Sequence, residues 1–273
     1  MSASTVAAYR ELHQSGCFLM PNPWDAGSAV FLETLGFKAL ATTSAGMAFS
    51  RGLPDRVSAV SCDAMLAHVR EIVEATSLPV NADFQNGYAD DPGGVALNVT
   101  ACVAMGVAGL SIEDASGRAD TPLYDRALAV ERIRAARAAI DQSGSGVVLT
   151  ARCEAWLVGT PDPAKTALDR LVAFAEAGAD CLYAPGVKDL DTIRAMVAAV
   201  APKPVNLLVG ATSAFTLADI AALGVRRVSV GGALARSAWG GFMRAAQALA
   251  EQGSFDGFAG AASGAELDAL MRD

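Results

Sequence analysis

Eight short runs along the chain are apolar through most of their length instead of alternating with polar residues. They lie at 17–20, 37–44, 78–84, 107–114, 146–154, 179–186, 203–210 and 225–232. Strands covered on both faces read this way. Between them come stretches with alanine and leucine at helical spacing, among them AMLAHVREIVEAT, ALAVERIRAARAAID and AKTALDRLVAFAEAG. Several end at a glycine just before the next strand (Gly36, Gly106, Gly178 and Gly224), where a left-handed residue closes a helix. Pro79 and Pro204 open strands, where a missing amide donor costs little. Strand and helix alternating eight times predict a single closed (β/α)8 TIM barrel. The rival, an open doubly wound sheet, calls for a glycine-rich phosphate turn after the first strand, and PNPWDAGSA is not GxGxxG.

No linker or low-complexity stretch divides the chain. After Val230 the sequence reads as one long helix, a glycine-rich loop and a short final helix. A barrel needs only one closing helix. Residues 1–240 are therefore expected to form the barrel, and 241–273 a helical extension packed on a neighbouring subunit. The 273 residues suit one such domain.

Composition narrows the function. At 52% hydrophobic and 18% charged the chain can bury a sizeable core, which excludes a disordered protein. A net charge of −8 and a pI near 4.8 argue against a nucleic acid or an anionic membrane as partner. No apolar run is long enough to span a bilayer, and the N-terminus lacks the apolar block of a signal peptide. A soluble, cytoplasmic protein is expected. The five cysteines are odd in number and show no CxxC pair, as suits reduced thiols. His13 and His68 both lie in helical stretches and are expected on helix surfaces, away from any chemistry. A Ser-His-Asp triad and a multi-histidine metal site are thereby excluded. Lys38 and Lys203 stand at strand starts, the wrong end of a barrel for a Schiff base, Lys165 begins a helix, and only Lys188 lies in a loop past a strand end, so a lysine-dependent aldolase is not expected. Carboxylates and arginines are left to carry the function.

In a barrel of this kind the active groups sit at the C-terminal ends of strands and in the loops that follow. Those positions hold Asn22, Trp24 and Asp25 in the first loop, then Thr42 to Gly46 with Asp55 after the second strand. Asp83, Gln85, Asn86 and Tyr88 end the third, Glu113 and Asp114 the fourth, Arg152 and Glu154 the fifth, and Asn206 lies in the seventh. Asp55, Asp83 and Glu113 converge on one mouth, where bare like charges repel. Taken singly each could be a structural cap or ion pair. Together, with Arg152 across the mouth, they point to a hard divalent cation, Mg2+ or Mn2+, which takes oxygen ligands and keeps water. Arg152 reads either as a fork for a substrate carboxylate or as a salt bridge to Glu154 or a neighbouring acid. Ser44, Ala45 and Gly46 read either as an anion nest or as a tight turn at a strand end. The Gly231-Gly232 pair reads as close helix packing.

The segments TTSAGMAFSRGLPD, NADFQNGY, GLSIED, ARCEAW and PVNLLV, in that order and on those strands, resemble the isocitrate lyase/phosphoenolpyruvate mutase superfamily. The likeness covers nearly the whole chain. It implies a (β/α)8 barrel with its last helix swapped between subunits of a homo-oligomer, usually a tetramer. It also implies Mg2+ and a small 2-oxo or 2-hydroxy carboxylate, handled through an enolate or related oxyanion. Carried over position by position, Asp83 matches the carboxylate that touches the metal. Asp55 and Glu113 match acids that reach it through water, and Arg152 matches the arginine holding the substrate carboxylate. Ser44, Ala45 and Gly46 match the backbone cradle for the same ligand, and Asn206 a polar group at its far end. Trp24, in the first loop, joins the expected substrate wall.

Two departures stand out. Gln85 replaces a second aspartate, so it can bond a metal-bound water but adds no charge. The Lys-Lys/Arg-Cys-Gly gate of the isocitrate and methylisocitrate lyases, whose cysteine is the acid in cleavage, is missing from the shortened stretch ASGRADTPLYDRALAVERI. The resemblance therefore implies first a carbon–carbon lyase of the (methyl)isocitrate type. Behind it stand an oxaloacetate-type decarboxylase or hydrolase, a phosphonate P–C bond enzyme, and a non-catalytic 2-oxo-acid binder.

Overall fold

The computed structural model describes residues 3–57 and 59–271, so residues 1, 2, 58, 272 and 273 of the ranges above lie outside it. Eight parallel strands form one sheet: β1 Phe18–Met20, β2 Leu40–Ala41, β3 Val80–Asp83, β4 Gly109–Glu113, β5 Val148–Arg152, β6 Cys181–Tyr183, β7 Val205–Leu208 and β8 Arg227–Ser229. Each runs beside its neighbour in sequence, and β1 pairs with β8 in the register Phe18↔Arg227. The seam between β1 and β2 is closed by Ala41 N–H donating to Pro21 O and by Asn22. Asn22 Nδ2 donates to Thr42 O, while its Oδ1 accepts from the amides of Val230 and Gly231. The predicted (β/α)8 barrel is the fold, with strands shorter than the apolar runs that announced them.

The outer helices are α1 Ala3–Leu12, α2 Ala26–Thr34, α3 Ser44–Ser50, α4 Cys62–Ala75, α5 Pro92–Ala104, α6 Arg126–Ser143, α7 Pro163–Glu176, α8 Leu190–Val200, α9 Leu217–Ala221, α10 Ala233–Gln252 and α11 Gly264–Leu270. Most begin at a side-chain cap: Asp91, Asp125, Asp162 and Asp189 each accept a first-turn amide. The core fills the space between strands and helices, with Val80, Leu110, Leu149 and Leu182 buried outside the barrel's polar interior. No described helix is long and apolar enough to cross a membrane.

Two expectations need correction. His68 is buried, because Met65, His68, Val69 and Ile72 share the inward face of α4. His13 is partly buried beneath the barrel, its ring edge-on to Tyr9 and Phe18. Burial pulls both imidazoles down, His68 to about 4 and His13 to about 3.

The boundary expected at 240/241 falls inside α10, which buries only Ala235. Trp239, Phe242 and Met243 on that helix, and Phe255 and Phe258 in the turn after it, are exposed.

Candidate active site

The site starts from the local chain behaviour at the end of β2. Thr43 Oγ1 accepts from the Gly46 amide and caps α3, so Ser44, Ala45 and Gly46 form the first turn of a helix. Gly46 must be small there: a Cβ would meet Trp24 Cβ and Thr43 Cγ2 at 2.7 Å. Trp24 thus packs behind the turn. Of the three cradle amides, Ser44 donates to Asp83 Oδ2 at 2.9 Å and Gly46 to Thr43. Ala45 keeps an amide with no acceptor among the described residues.

Asp83 ends β3 and is held firmly on one side. Its amide donates to Thr42 Oγ1, and Ser44 N and Oγ both donate to Oδ2. Its other oxygen, Oδ1, is buried with no hydrogen-bond donor and lies 3.5 Å from Arg152 Nη1. Immediately after it the chain turns left-handed at Gln85 (φ 45°), a conformation that costs a non-glycine residue about 1 kcal/mol. The Gln85 carbonyl then accepts the Glu113 amide at 2.8 Å, and Gln85 Oε1 is buried with no donor. Arg152 offers Asp83 Oδ1 charge without a hydrogen bond, and Gln85 Oε1 is a buried acceptor that costs free energy until a donor or cation meets it.

Arg152 faces three acids. Nη1 lies 2.9 Å from Glu113 across the β4–β5 register, and Nε and Nη2 pair with Glu154. Its guanidinium carbon stands 5.0 Å from the centre of the Tyr183 ring. The ion-pair reading of Arg152 is what the structure shows, and the same side chain borders the cavity with Asp83. Burial pushes Glu113 and Glu154 upward, and their neighbouring carboxylates add to this, against the opposing pull of Arg152. Asp55 sits on the open loop after α3, largely exposed. Its carboxyl is raised by the protein around it and by Asp83, less the pull of Arg152, which places it within electrostatic reach of both.

A cavity of about 40 Å3 opens below these groups, lined among others by Asp83, Arg152, Tyr183, Asn206, Ser229 and Arg227. Asn206 donates to Ser229 Oγ at 3.0 Å and accepts from Arg227. Asp114, beside Glu113, is drawn away to Arg170 and the Glu154 amide and is structural. Above the mouth, the shortened stretch after β4 is tied down. Arg118 pairs with Asp90 at 3.0 Å, Tyr124 bonds Asp90 and Asn86, and Ala115 bridges Leu123.

Tyr183 and Arg227 were not among the expected site residues, and Tyr88 was named by its place after the third strand without a role. Tyr183 ends a strand, so the strand-end rule alone could have found it. The Tyr88 hydroxyl is buried and unpartnered, raised by burial and by Asp83 and Glu113. Arg227 opens a strand and gives no such signal.

Among the described residues no three histidine, cysteine or carboxylate side chains converge as a ready-made metal cage. The donor set nonetheless fits a hard cation. The buried, unmet oxygens of Asp83 and Gln85 are the acceptors it would satisfy, and Mg2+ binds through one or two carboxylates while keeping its water.

Comparison with known proteins gives the family and the fold. The phosphoenolpyruvate phosphomutase family profile matches residues 9–250. A candidate lyase/mutase from Burkholderia cenocepacia superposes with a TM-score of 0.93 at 49% identity, covering 98% of this chain and 95% of that one. The 2-methylisocitrate lyase of Escherichia coli is 31% identical over 205 residues, 72% of this chain and 67% of its own. Oxaloacetate acetylhydrolase, solved with its product oxalate, gives a TM-score of 0.86 at 28% identity, over 98% of this chain and 94% of that one.

Proposed function

This chain belongs to the phosphoenolpyruvate mutase/isocitrate lyase superfamily, and from that premise we propose that it is a Mg2+-dependent carbon–carbon lyase. It binds a small 2-oxo acid in the barrel mouth and stabilises the enolate-type oxyanion left as the bond breaks. The observation that carries this reading is the divided state of Asp83: one oxygen fixed by Ser44, the other buried at the cavity edge without a hydrogen-bond donor, 3.5 Å from Arg152 Nη1. Asp83 would hold Mg2+ (or Mn2+) directly, and Asp55, Gln85 and Glu113 would hold it through water. The cation supplies positive charge against the oxyanion.

The protein's own groups do the rest. Arg152, held by Glu113 and Glu154 at the cavity edge, is the cation that would meet the substrate carboxylate, its Nη1 exchanging acid contacts for that ligand. The Ala45 amide donates to the same ligand, Trp24 backs that turn, and Asn206 bonds the far end. Asp55, raised and open to solvent, is the carboxylate suited to exchange a proton with the substrate.

A second reading has its own support. The stretch after β4 contains no thiol or amine and is fastened to Asp90 and Asn86. Loss of CO2 from an oxaloacetate-like acid, or its hydrolysis, needs no gate cysteine. Turnover of methylisocitrate, isocitrate, oxaloacetate and phosphonopyruvate with Mg2+ separates these. Glyoxylate or pyruvate release from an isocitrate supports the lyase, and exclusive consumption of oxaloacetate supports the second reading. Mg2+-dependent binding with no turnover of any of them leaves a non-catalytic binder.

The assembly follows from α10. A helix that buries one residue and exposes Trp239, Phe242 and Met243 requires cover, and a neighbouring subunit supplies it by exchanging this helix. A homodimer or homotetramer results.

A further inference from the structure

Among the described residues, two that are not glycine have a left-handed backbone: Gln85 at φ 45° and Tyr88 at φ 56°, both in the loop between β3 and α5. Such a backbone persists only where its surroundings hold it. Arg132, buried on α6, does so by donating to the carbonyls of Asn86, Ala89 and Asp90. Asn98 Nδ2 donates to Gly87 O at 2.9 Å, and Tyr88 N to Asn86 Oδ1 at 3.1 Å. The side chains of the two strained residues stand apart from this network. Gln85 Oε1 and Tyr88 Oη are both buried without a hydrogen-bond partner among the described residues. Gln85 already has a place beside the expected cation, whereas Tyr88 has no role.

A buried hydroxyl without a partner destabilises a fold, and phenylalanine avoids that cost. The Tyr88 ring packs edge-on to Phe84, centres 5.1 Å apart, a contact that phenylalanine would keep. Packing therefore does not account for the oxygen. Burial first, then Asp83, then Cys62 and Glu113, push the phenol above its ordinary range, so it holds its proton at neutral pH. The hydroxyl thus lies within electrostatic reach of two carboxylates of the barrel mouth. On its other side Tyr88 lines a pocket of about 630 Å3 with Ser61, Cys62, Asn86 and Arg118. That pocket is open to solvent and shares no lining residue with the interior cavity.

Cleavage of a carbon–carbon bond beside a hydroxyl asks for two proton transfers. One proton leaves the hydroxyl, and Asp55 is suited to take it. Another must reach the carbon that departs as a carbanion. Residues 115–125, after β4, hold no thiol or amine for that purpose. Their one phenol, Tyr124, is committed to Asp90 and Asn86.

We propose that Tyr88 is the proton donor of the reaction. Its O–H bond breaks as a C–H bond forms on the enolate carbon, and water from the outer pocket reprotonates the phenolate. The hydroxide so formed is neutralised by the proton that Asp55 took and releases. The inference rests on the function proposed above and adds a catalytic residue to it. Loss of CO2 from an oxaloacetate-like acid leaves an enolate that needs the same proton.

The test compares Tyr88→Phe with the wild-type full chain in turnover of methylisocitrate, isocitrate and oxaloacetate with Mg2+, in calorimetric binding of oxalate, and in melting temperature. On whichever substrate the wild type consumes, Tyr88→Phe should lower kcat by about a hundredfold or more, the worth of a positioned acid. KM and oxalate affinity should stay within about twofold, because the donor acts after binding. The melting temperature should be unchanged or higher, since an unpaired hydroxyl has gone. Tyr124→Phe, which removes a bonded phenol from the neighbouring loop, should melt lower and lose less than about tenfold in kcat. A kcat for Tyr88→Phe within about threefold of wild type, or a lower melting temperature with weakened oxalate, would overturn the inference. An equal kcat loss in Tyr124→Phe would also overturn it, by making the effect one of loop packing. If the wild type consumes none of the three substrates, the parent reading fails and this one falls with it.

Discussion

Ser44 and Asp83 come from different strand ends 39 residues apart, yet they are joined twice, Ser44 N and Oγ each donating to Asp83 Oδ2 at 2.9 Å. The pairing fixes the carboxylate's orientation and sends its other oxygen into the site. It also explains why a β2-end segment of small residues is needed: α3 must bring its first amide close to β3. The site is thus built by one short helix start and one strand end leaning on each other.

Beside that pair, Gln85 carries a neutral acceptor with no partner. Gln85→Asp should tighten Mg2+ binding severalfold, since it adds a charge where a metal-bound water is read to lie. Magnesium titration by calorimetry checks this, and unchanged or weaker binding would displace Gln85 from the metal's surroundings.

Arg152→Lys keeps the charge and loses the planar fork that now grips Glu154. KM should rise about ten- to a hundredfold with kcat reduced less, because the carboxylate contact is present in ground and transition states alike. Steady-state kinetics on whichever substrate turns over checks it; an unchanged KM with a lost kcat would make Arg152 a stabiliser of developing charge.

The strands were legible because each lies between barrel interior and helices and so reads as a nearly unbroken apolar run. Asp83, Glu113, Arg152 and Asn206 were legible by position, at or near strand ends. The helix α3 was not, since its small first residues, Ser44, Ala45 and Gly46, read equally well as a turn. His68 was misplaced although Met65, His68, Val69 and Ile72 follow i, i+3, i+4, i+7 spacing, which put it on the buried face. Arg227 was hidden for a different reason. Where a strand opens on Arg226-Arg227, alternation alone does not say which of the two points inward.

Those histidines predict an acid sensitivity. Their folded pKa values lie below the ordinary 6.5, at about 4 for His68 and about 3 for His13, mainly through burial. A depressed pKa means the unfolded chain takes up protons first, so this stability is present above pH 6.5 and lost as pH falls toward 4 and 3. Each histidine contributes a slope of at most about 1.4 kcal/mol per pH unit. Denaturant melts of wild type and His68→Leu between pH 4 and 8 should converge on the acid side, the variant losing less. Parallel curves would show that His68 does not titrate on unfolding.

Truncation after Gly240 cuts α10 in the middle and removes Phe242 and Met243. The shortened chain should melt lower or aggregate, and the full chain should run as a dimer or tetramer in light scattering. A truncated protein that stays folded and monomeric at an unchanged melting temperature would show that α10 covers nothing.

The central claim is that Asp83 makes the barrel mouth a Mg2+-dependent receptor for a small 2-oxo acid. Calorimetric titration of oxalate, a stand-in for the enolate of such an acid, tests it in the wild-type chain and in Asp83→Ala, each with Mg2+ and with a chelator. The account predicts binding to wild type only when Mg2+ is present, and none to folded Asp83→Ala under either condition. Oxalate binding that survives the chelator, or that a folded Asp83→Ala protein retains with Mg2+, would contradict it.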